Sequence, residues 1–220
     1  MTLTSKLHEY QAAAITVSYD LKRCIHAEEC IHGLPAVFDF TKRPWVQPEN
    51  ASATALAEVI MRCPTGALQF ERIDKGPEEP FPTENIILIT PDGPLYVRGE
   101  LEITALDGSV LHQDTRVALC RCGASKNKPF CDNVHLQINF HDEAGVTDNQ
   151  EETADVAPVG PLKFVLASNG PYLLKGHFEI RSADGQAIFR GNKTALCRCG
   201  GSQNKPFCDG THQSIGFEAA

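Results

Sequence analysis

The sequence predicts an α+β protein: a small β-α-β unit over residues 1–78, then two copies of one β-rich module, 79–142 and 159–220, separated by an acidic linker, 143–158. Three observations carry this. Nine cysteines fall into three groups of three. An offset of 77 residues lays Cys120, Cys122, Cys131 and His135 onto Cys197, Cys199, Cys208 and His212. Apolar residues alternate in all three segments, whereas helical spacing occurs at Leu56, Val59, Ile60 and Cys63.

In the first segment Ile15, Val17 and Tyr19 alternate as a strand. The stripe from Leu56 to Cys63 is a core-facing helix, ended by Pro64 and Gly66, and Ala67–Phe70 pairs as a second strand. Trp45 reads as a core residue or loop staple. In the second segment Ile86–Ile89 is a strand stopped by Pro91-Asp92-Gly93-Pro94, and Leu101 and Ile103 alternate before an Asp107-Gly108 hairpin and Val110-Leu111. The third repeats this with Phe164–Leu166, Asn169-Gly170-Pro171, Phe178, Ile180 and Asp184-Gly185. Nearly half the positions between Pro94 and Phe140 match their counterparts without a gap. Modules of about 60 residues hold marginal cores, so a metal centre or pairing of the copies must help.

Composition narrows the function. With 42% hydrophobic and 22% charged residues the chain is neither disordered nor a membrane protein: no apolar run reaches the ~18 residues of a span. The start, MTLTSKLHEYQ, has no apolar signal core, so a cytoplasmic protein is expected. Asp142, Glu143, Asp148, Glu151, Glu152 and Asp155 supply six of the eight net negative charges, and no basic field for nucleic acid remains. No G-x-G-x-x-G occurs, and no Ser or Cys nucleophile stands beside a base, so an enzyme is not expected.

Three cysteines per group cannot all pair locally, and a reducing compartment disfavours disulfides, so metal or cluster ligation is the stronger reading. The repeated motif, Cys120-Arg-Cys122-x8-Cys131-Asp-x2-His135 and Cys197-Arg-Cys199-x8-Cys208-Asp-x2-His212, offers three thiols and one imidazole within sixteen residues. Tetrahedral zinc is an alternative, although C-x-C is tighter than zinc knuckles favour. Asp132 and Asp209 suit the N-cap of a short helix that orients the histidine. Ser125 and Ser202 could hydrogen-bond nearby, and Asn133, which stands where copy two has Gly210, tolerates φ > 0 better than most residues. His8, His32, His112, His141 and His177 read as surface residues.

The motif resembles that of the CDGSH iron–sulfur family (the mitoNEET-like proteins), C-x-C-x2-S/T-x3-P-x-C-D-G-S/A/T-H, from which copy one departs at Asn133 and Val134. The resemblance implies two [2Fe–2S] clusters. Cys120 and Cys122 would hold an inner iron and Cys131 and His135 an outer one, with Cys197, Cys199, Cys208 and His212 doing the same in copy two. The family pairs two modules as a dimer, which implies a monomer with an intramolecular pseudo-dimer here. Exchanging one thiolate for a neutral imidazole makes the oxidised cluster less negative, so it should be easier to reduce than a four-cysteine cluster.

Cys24-x-His26-x3-Cys30 with a distant Cys63-Pro64 resembles half of a bacterial ferredoxin whose middle cysteine is replaced by Ala27, a pattern similar to [3Fe–4S] ferredoxins. Followed by Arg43-Pro44-Trp45 and Cys63-Pro64-Thr65-Gly66-Ala67-Leu68, it is more specifically similar to the divergent single-cluster ferredoxins, over residues 15–72. The ferredoxin-like domain would then hold a [3Fe–4S] cluster, or a [4Fe–4S] cluster with His26 as candidate fourth ligand; a solvated His26 and a cluster-free relic are the alternatives. The function these resemblances imply is a soluble electron carrier serving redox partner proteins. The alternatives are storage or transfer of clusters to apo iron–sulfur acceptors, redox or iron sensing, and the electron-feeding part of an oxidoreductase.

Overall fold

A computed structural model describes residues 6–144 and 160–219, so the acidic linker beyond Ala144 lies outside the described residues. The chain divides into two compact units between Pro80 and Phe81. Among the described residues helix is confined to α1 (Glu29–Gly33), α2 (Ala53–Ile60) and α3 (Thr211–Ser214) with two short 3-10 turns, so the protein is mostly β. Among the described residues no helix is long and apolar enough to cross a membrane.

In the first unit β1 (Leu7–Gln11), β2 (Ile15–Asp20) and β3 (Leu68–Arg72) form an antiparallel sheet in that order, with α1 and α2 between β2 and β3. The sequence reading missed β1 because Leu-His-Glu-Tyr-Gln buries nothing fully and shows no alternation. Ile15, Val17 and Tyr19 point into a core completed by Leu56, Val59 and Ile60 of α2. Ser52 caps α2, its hydroxyl accepting from the Ala55 N–H at 3.2 Å. The helix ends at Ile60, earlier than the spacing predicts, and the Cys63 N–H bonds to the Ile60 carbonyl in a following turn. Pro64 is the physical reason: it disfavours helical backbone at the residue before it. Cys63 therefore sits in the turn between α2 and β3. Trp45 is the staple, edge-on to Tyr19 and stacked on Phe40, with ring centroids 4.9 and 5.0 Å apart.

In the second unit β4 (Ile86–Ile89), β5 (Leu95–Thr104) and β6 (Val110–Leu119) come from copy one, and β7 (Leu162–Leu166), β8 (Tyr172–Arg181) and β9 (Ala187–Leu196) from copy two. All six lie in one sheet. β5–β6 and β8–β9 are the predicted hairpins. The long strands use one edge twice. The start of β5 pairs antiparallel with β4 (Ile89↔Leu95), while its end pairs parallel with β7 of the other copy (Ile103↔Phe164). Shifted by 77 residues, these become β7 with β8 (Leu166↔Tyr172) and β4 with β8 (Ile87↔Ile180), and both pairings exist. Each copy thus lends its first strand to the other, and one core runs through Ile87, Val97, Ile103, Phe164, Leu174 and Ile180. Sharing one core supplies the apolar burial that a 60-residue module lacks. The buried Asn85 amide ties the crossing, donating to the carbonyls of Gly160 and His177 (2.9 Å each) and accepting from the Glu100 N–H (3.0 Å).

Candidate metal centres

Each hairpin of the second unit delivers its cysteines from the end of its last strand. Cys120 follows β6; its N–H donates to Pro129 O at 2.8 Å, while the Cys131 N–H returns to Ala118 O at 2.9 Å. The same bonds in copy two, Cys197 to Pro206 and Cys208 to Ala195, measure 2.8 Å each. The buried Ser125 and Ser202 hydroxyls fasten the loops, donating to Phe130 O and Phe207 O at 2.7 Å and accepting from Asn127 N and Asn204 N at 3.0 Å. Their place is in the loop backbone.

Asp132 and Asp209 are not the caps of the following turn; the left-handed residues Asn133 (φ 66°) and Gly210 (φ 87°) are. The aspartates stand one residue earlier because each spans two loops. One carboxylate oxygen takes the N–H of Val134 (3.2 Å) or Thr211 (2.9 Å), and the other that of Lys126 or Gln203 (2.8 Å each). This clamp holds the histidine turn against the C-x-C loop.

The donors come out as pairs. Cys120 and Cys122 sulfurs lie 3.7 Å apart and Cys197 and Cys199 3.8 Å, while Cys131 Sγ is 3.5 Å from His135 Nδ1 and Cys208 Sγ 3.4 Å from His212 Nδ1. Two thiolates on one tetrahedral metal, at bonds of ~2.3 Å, stand about 3.8 Å apart, and a thiolate and an imidazole slightly closer. Every pair therefore fits one metal. Among the described residues no group of three His, Cys, Asp or Glu converges to hold a single ion. Backbone N–H groups of Asn133, Gly201 and Gly210 point at the sulfurs of Cys131, Cys199 and Cys208, 3.4 Å each, and favour thiolate. The hydrogen bond from Cys120 lowers the Cys122 thiol towards about 6 and raises Cys120 in turn. Burial pushes Cys131 up to about 11, raises Cys197 and Cys208, and lowers His135.

The two centres touch through backbone. Gly123 (φ 79°) and Gly200 (φ 81°) adopt left-handed conformations, and a Cβ on either would overlap the carbonyl of Cys199 or Cys122 in the other copy. Around this contact Lys128 lies over the Phe217 ring and Lys205 over Phe140, 5.9 Å each. The fully buried Tyr172 of copy two donates to the carbonyls of Cys120 (2.9 Å) and Pro129 (3.0 Å) in copy one. Sequence reading missed Tyr172, whose counterpart is Leu95, and passed over Arg121 and Arg198, although their repetition between the cysteines was visible. His112 and His177 are half-buried, not surface residues. His112 is held by Asp114 at 3.2 Å and packs edge-on to Phe130.

In the first unit Cys24, Cys30 and Cys63 line one cavity, with His26, Tyr19 and Thr65 on its wall. None of the nine cysteines is in a disulfide. Thr65 Oγ1 lies 3.5 Å from the Cys63 sulfur. Burial, then the nearby Cys63, pushes Cys30 up to about 11; burial and a hydrogen bond to Cys24 raise the Tyr19 phenol. His26 is exposed and takes φ 56° in the loop between Cys24 and Cys30.

A family model described as the iron-binding zinc finger of CDGSH type matches residues 92–136 and again 169–213, and one described as a divergent 4Fe-4S mono-cluster matches residues 10–72. The chain is a tandem CDGSH iron–sulfur protein with an N-terminal divergent mono-cluster domain. Its first unit is similar to the uncharacterized protein YjdI of Escherichia coli (strain K12) and of E. coli O157:H7. Each is 30% identical over 61 residues, 28% of this chain and 80% of that protein. No solved structure matches the chain.

Proposed function

We propose that this tandem CDGSH protein is an electron carrier, not an enzyme, with two [2Fe–2S] clusters in an intramolecular pseudo-dimer and a third cluster in the mono-cluster domain. The observation that carries it is the sorting of eight donors into four pairs, each spaced for one metal. Four donors around one zinc would converge on a point; two pairs per copy suit two irons. When bound, such a cluster accepts and returns one electron. The chain's own residues aim backbone N–H groups at the sulfurs of Cys131, Cys199 and Cys208, bury Cys120 and Cys197, and brace each loop against the other copy. In the first unit Cys24, Cys30 and Cys63 would hold the third cluster, [3Fe–4S] or, with His26, [4Fe–4S]. Nine thiols outside disulfides suit a reducing compartment such as the cytoplasm. Redox proteins are the partners this implies.

Iron and acid-labile sulfide analysis with EPR on anaerobically purified protein tests the reading. Sulfide matching iron, with two reducible [2Fe–2S] centres, is expected. Stoichiometric zinc without sulfide would overturn it. An isotropic signal near g ~ 2.01 in the oxidised protein identifies a [3Fe–4S] centre, because all-ferric [2Fe–2S] clusters give none.

A second reading, delivery of clusters to apo acceptors, draws on the half-buried position of His212 beside the exposed Ile215. Transfer to an apo-ferredoxin within minutes would favour it over retention through repeated reduction.

A further inference from the structure

A buried hydroxyl can be oriented by counting, because it has one proton to give while its oxygen accepts. Ser125 and Ser202 each accept an N–H from two residues on, Asn127 and Asn204, at 3.0 Å. Each then spends its proton on a carbonyl, Phe130 O or Phe207 O, at 2.7 Å. Thr65 of the first unit is built the same way on its accepting side. The Ala67 N–H, again two residues on, reaches Thr65 Oγ1 at 3.1 Å. An N–H cannot accept, so the hydroxyl proton is left for another partner. Among the described residues that partner is the Cys63 sulfur, 3.5 Å away.

The turn fixes this aim from both sides. The Thr65 carbonyl receives the side chain of the buried Arg23, and Gly66, in the left-handed conformation (φ 64°), returns its N–H to Cys63 O at 3.4 Å. Thr65 is 3% exposed, so water does not compete for the proton. The sulfur decides the direction of the bond. A thiolate on a metal carries no proton and only accepts, so the hydroxyl donates. Cys63 shares its cavity with Cys24 and Cys30, none of them in a disulfide, between the apolar walls of Ile25, Trp45 and Leu68. Three thiols gathered there suit a cluster, and in such surroundings one donor counts for more than it would in water.

We propose that Thr65 is a positioning residue of the third centre: acting through Cys63, its hydroxyl raises the reduction potential of the cluster that Cys63 holds. Reduction brings one electron from a one-electron redox protein, and part of the added negative charge spreads onto the ligand sulfurs. A donor aimed at one of them stabilises the reduced state more than the oxidised one. Thr65 keeps its proton throughout. The proposal rests on the third-cluster reading above.

The test is a mediated redox titration of the whole protein followed by EPR, on samples whose iron and sulfide have been counted. The wave that disappears in Cys30→Ala belongs to the first unit. Thr65→Val keeps the branched shape without the hydroxyl and should move that wave downward. The reduced-to-oxidised ratio at the parent midpoint should fall at least threefold, about 28 mV for one electron at ~59 mV per tenfold. Thr65→Ser should restore it, and Thr65→Ala should match Thr65→Val. The waves of the two CDGSH centres should stay in place throughout. A backbone role alone, through Ala67, would lower the melting temperature and leave the first-unit wave where it was; that result overturns the proposal, as does an upward shift or equal movement of all waves. Should both variants lose the cluster, electron–nuclear double resonance on the parent decides: a deuterium-exchangeable proton coupled to the first-unit cluster is expected, and its absence overturns the assignment. A parent with no wave lost in Cys30→Ala, its iron and sulfide accounted for by the repeats, would instead overturn the third-cluster reading beneath it.

Discussion

The two copies hold their ligands in the same geometry and differ in several of the side chains that surround it. The donor pairs agree to 0.1 Å (3.7 against 3.8 Å, 3.5 against 3.4 Å). Yet Tyr172 stands where copy one has Leu95, Asn133 where copy two has Gly210, and Asp142 where copy two has Ala219. The geometry is fixed by backbone bonds and by the Ser and Asp clamps, all present twice. The surroundings are side-chain matters and were free to diverge. A duplicated site can thus keep one coordination chemistry and acquire two sets of properties.

The largest effect should come from abolishing the contact the copies share. Gly123→Ala puts a methyl into the Cys199 carbonyl at a left-handed φ, and we expect a loss of about 2–4 kcal/mol and of iron from both centres, seen in thermal unfolding and iron content. Damage confined to centre 1 would break the idea of a shared contact. Tyr172→Phe should cost about 1–2 kcal/mol and shorten the lifetime of centre 1 alone, although Tyr172 belongs to copy two; the decay of each visible band reports it. Acid should separate the centres as well. Burial holds His135 below the usual ~6.5, so its neutral form stabilises the fold above that pH, and the contribution is lost as pH falls through its lowered value. His212 is the more exposed imidazole, so from pH ~7 towards ~5 centre 2 should bleach first. Smallest of all, Asn133→Gly should stabilise copy one by roughly 0.5 kcal/mol by relieving its left-handed residue, measured as a rise in Tm.

The same contrast explains what the sequence made legible. Ligands could be named because cysteine and histidine at fixed spacing have few other uses, and the 77-residue offset gave every ligand in the repeats a witness. Hairpins were visible from Asp107-Gly108 and Asp184-Gly185. Strand β1 was not, since an exposed edge strand buries no face and leaves no alternation. The exchange of β4 and β7 was hidden too, because Ile86–Ile89 carries the same apolar pattern whichever β-strand lies beside it. Cys63 fitted a helical stripe by spacing, and only the steric demand of Pro64 moved it into a turn. Tyr172 stayed silent for the reason that makes it informative: it acts across the repeat, where an internal comparison shows only a mismatch.

The exchanged strands also impose a sequence of events on synthesis. A ribosome releases the first CDGSH copy before β7 and β8 exist, so the parallel edges of β4 and of Leu101–Thr104 stay open until β7 and the far end of β8 emerge. During that interval the first copy is an incomplete sheet with an open edge, and β7 of a second chain has the same sequence as the strand that fills it. Monomer and strand-swapped dimer are therefore two closures of the same pair of edges, distinguished only by which chain supplies the strand.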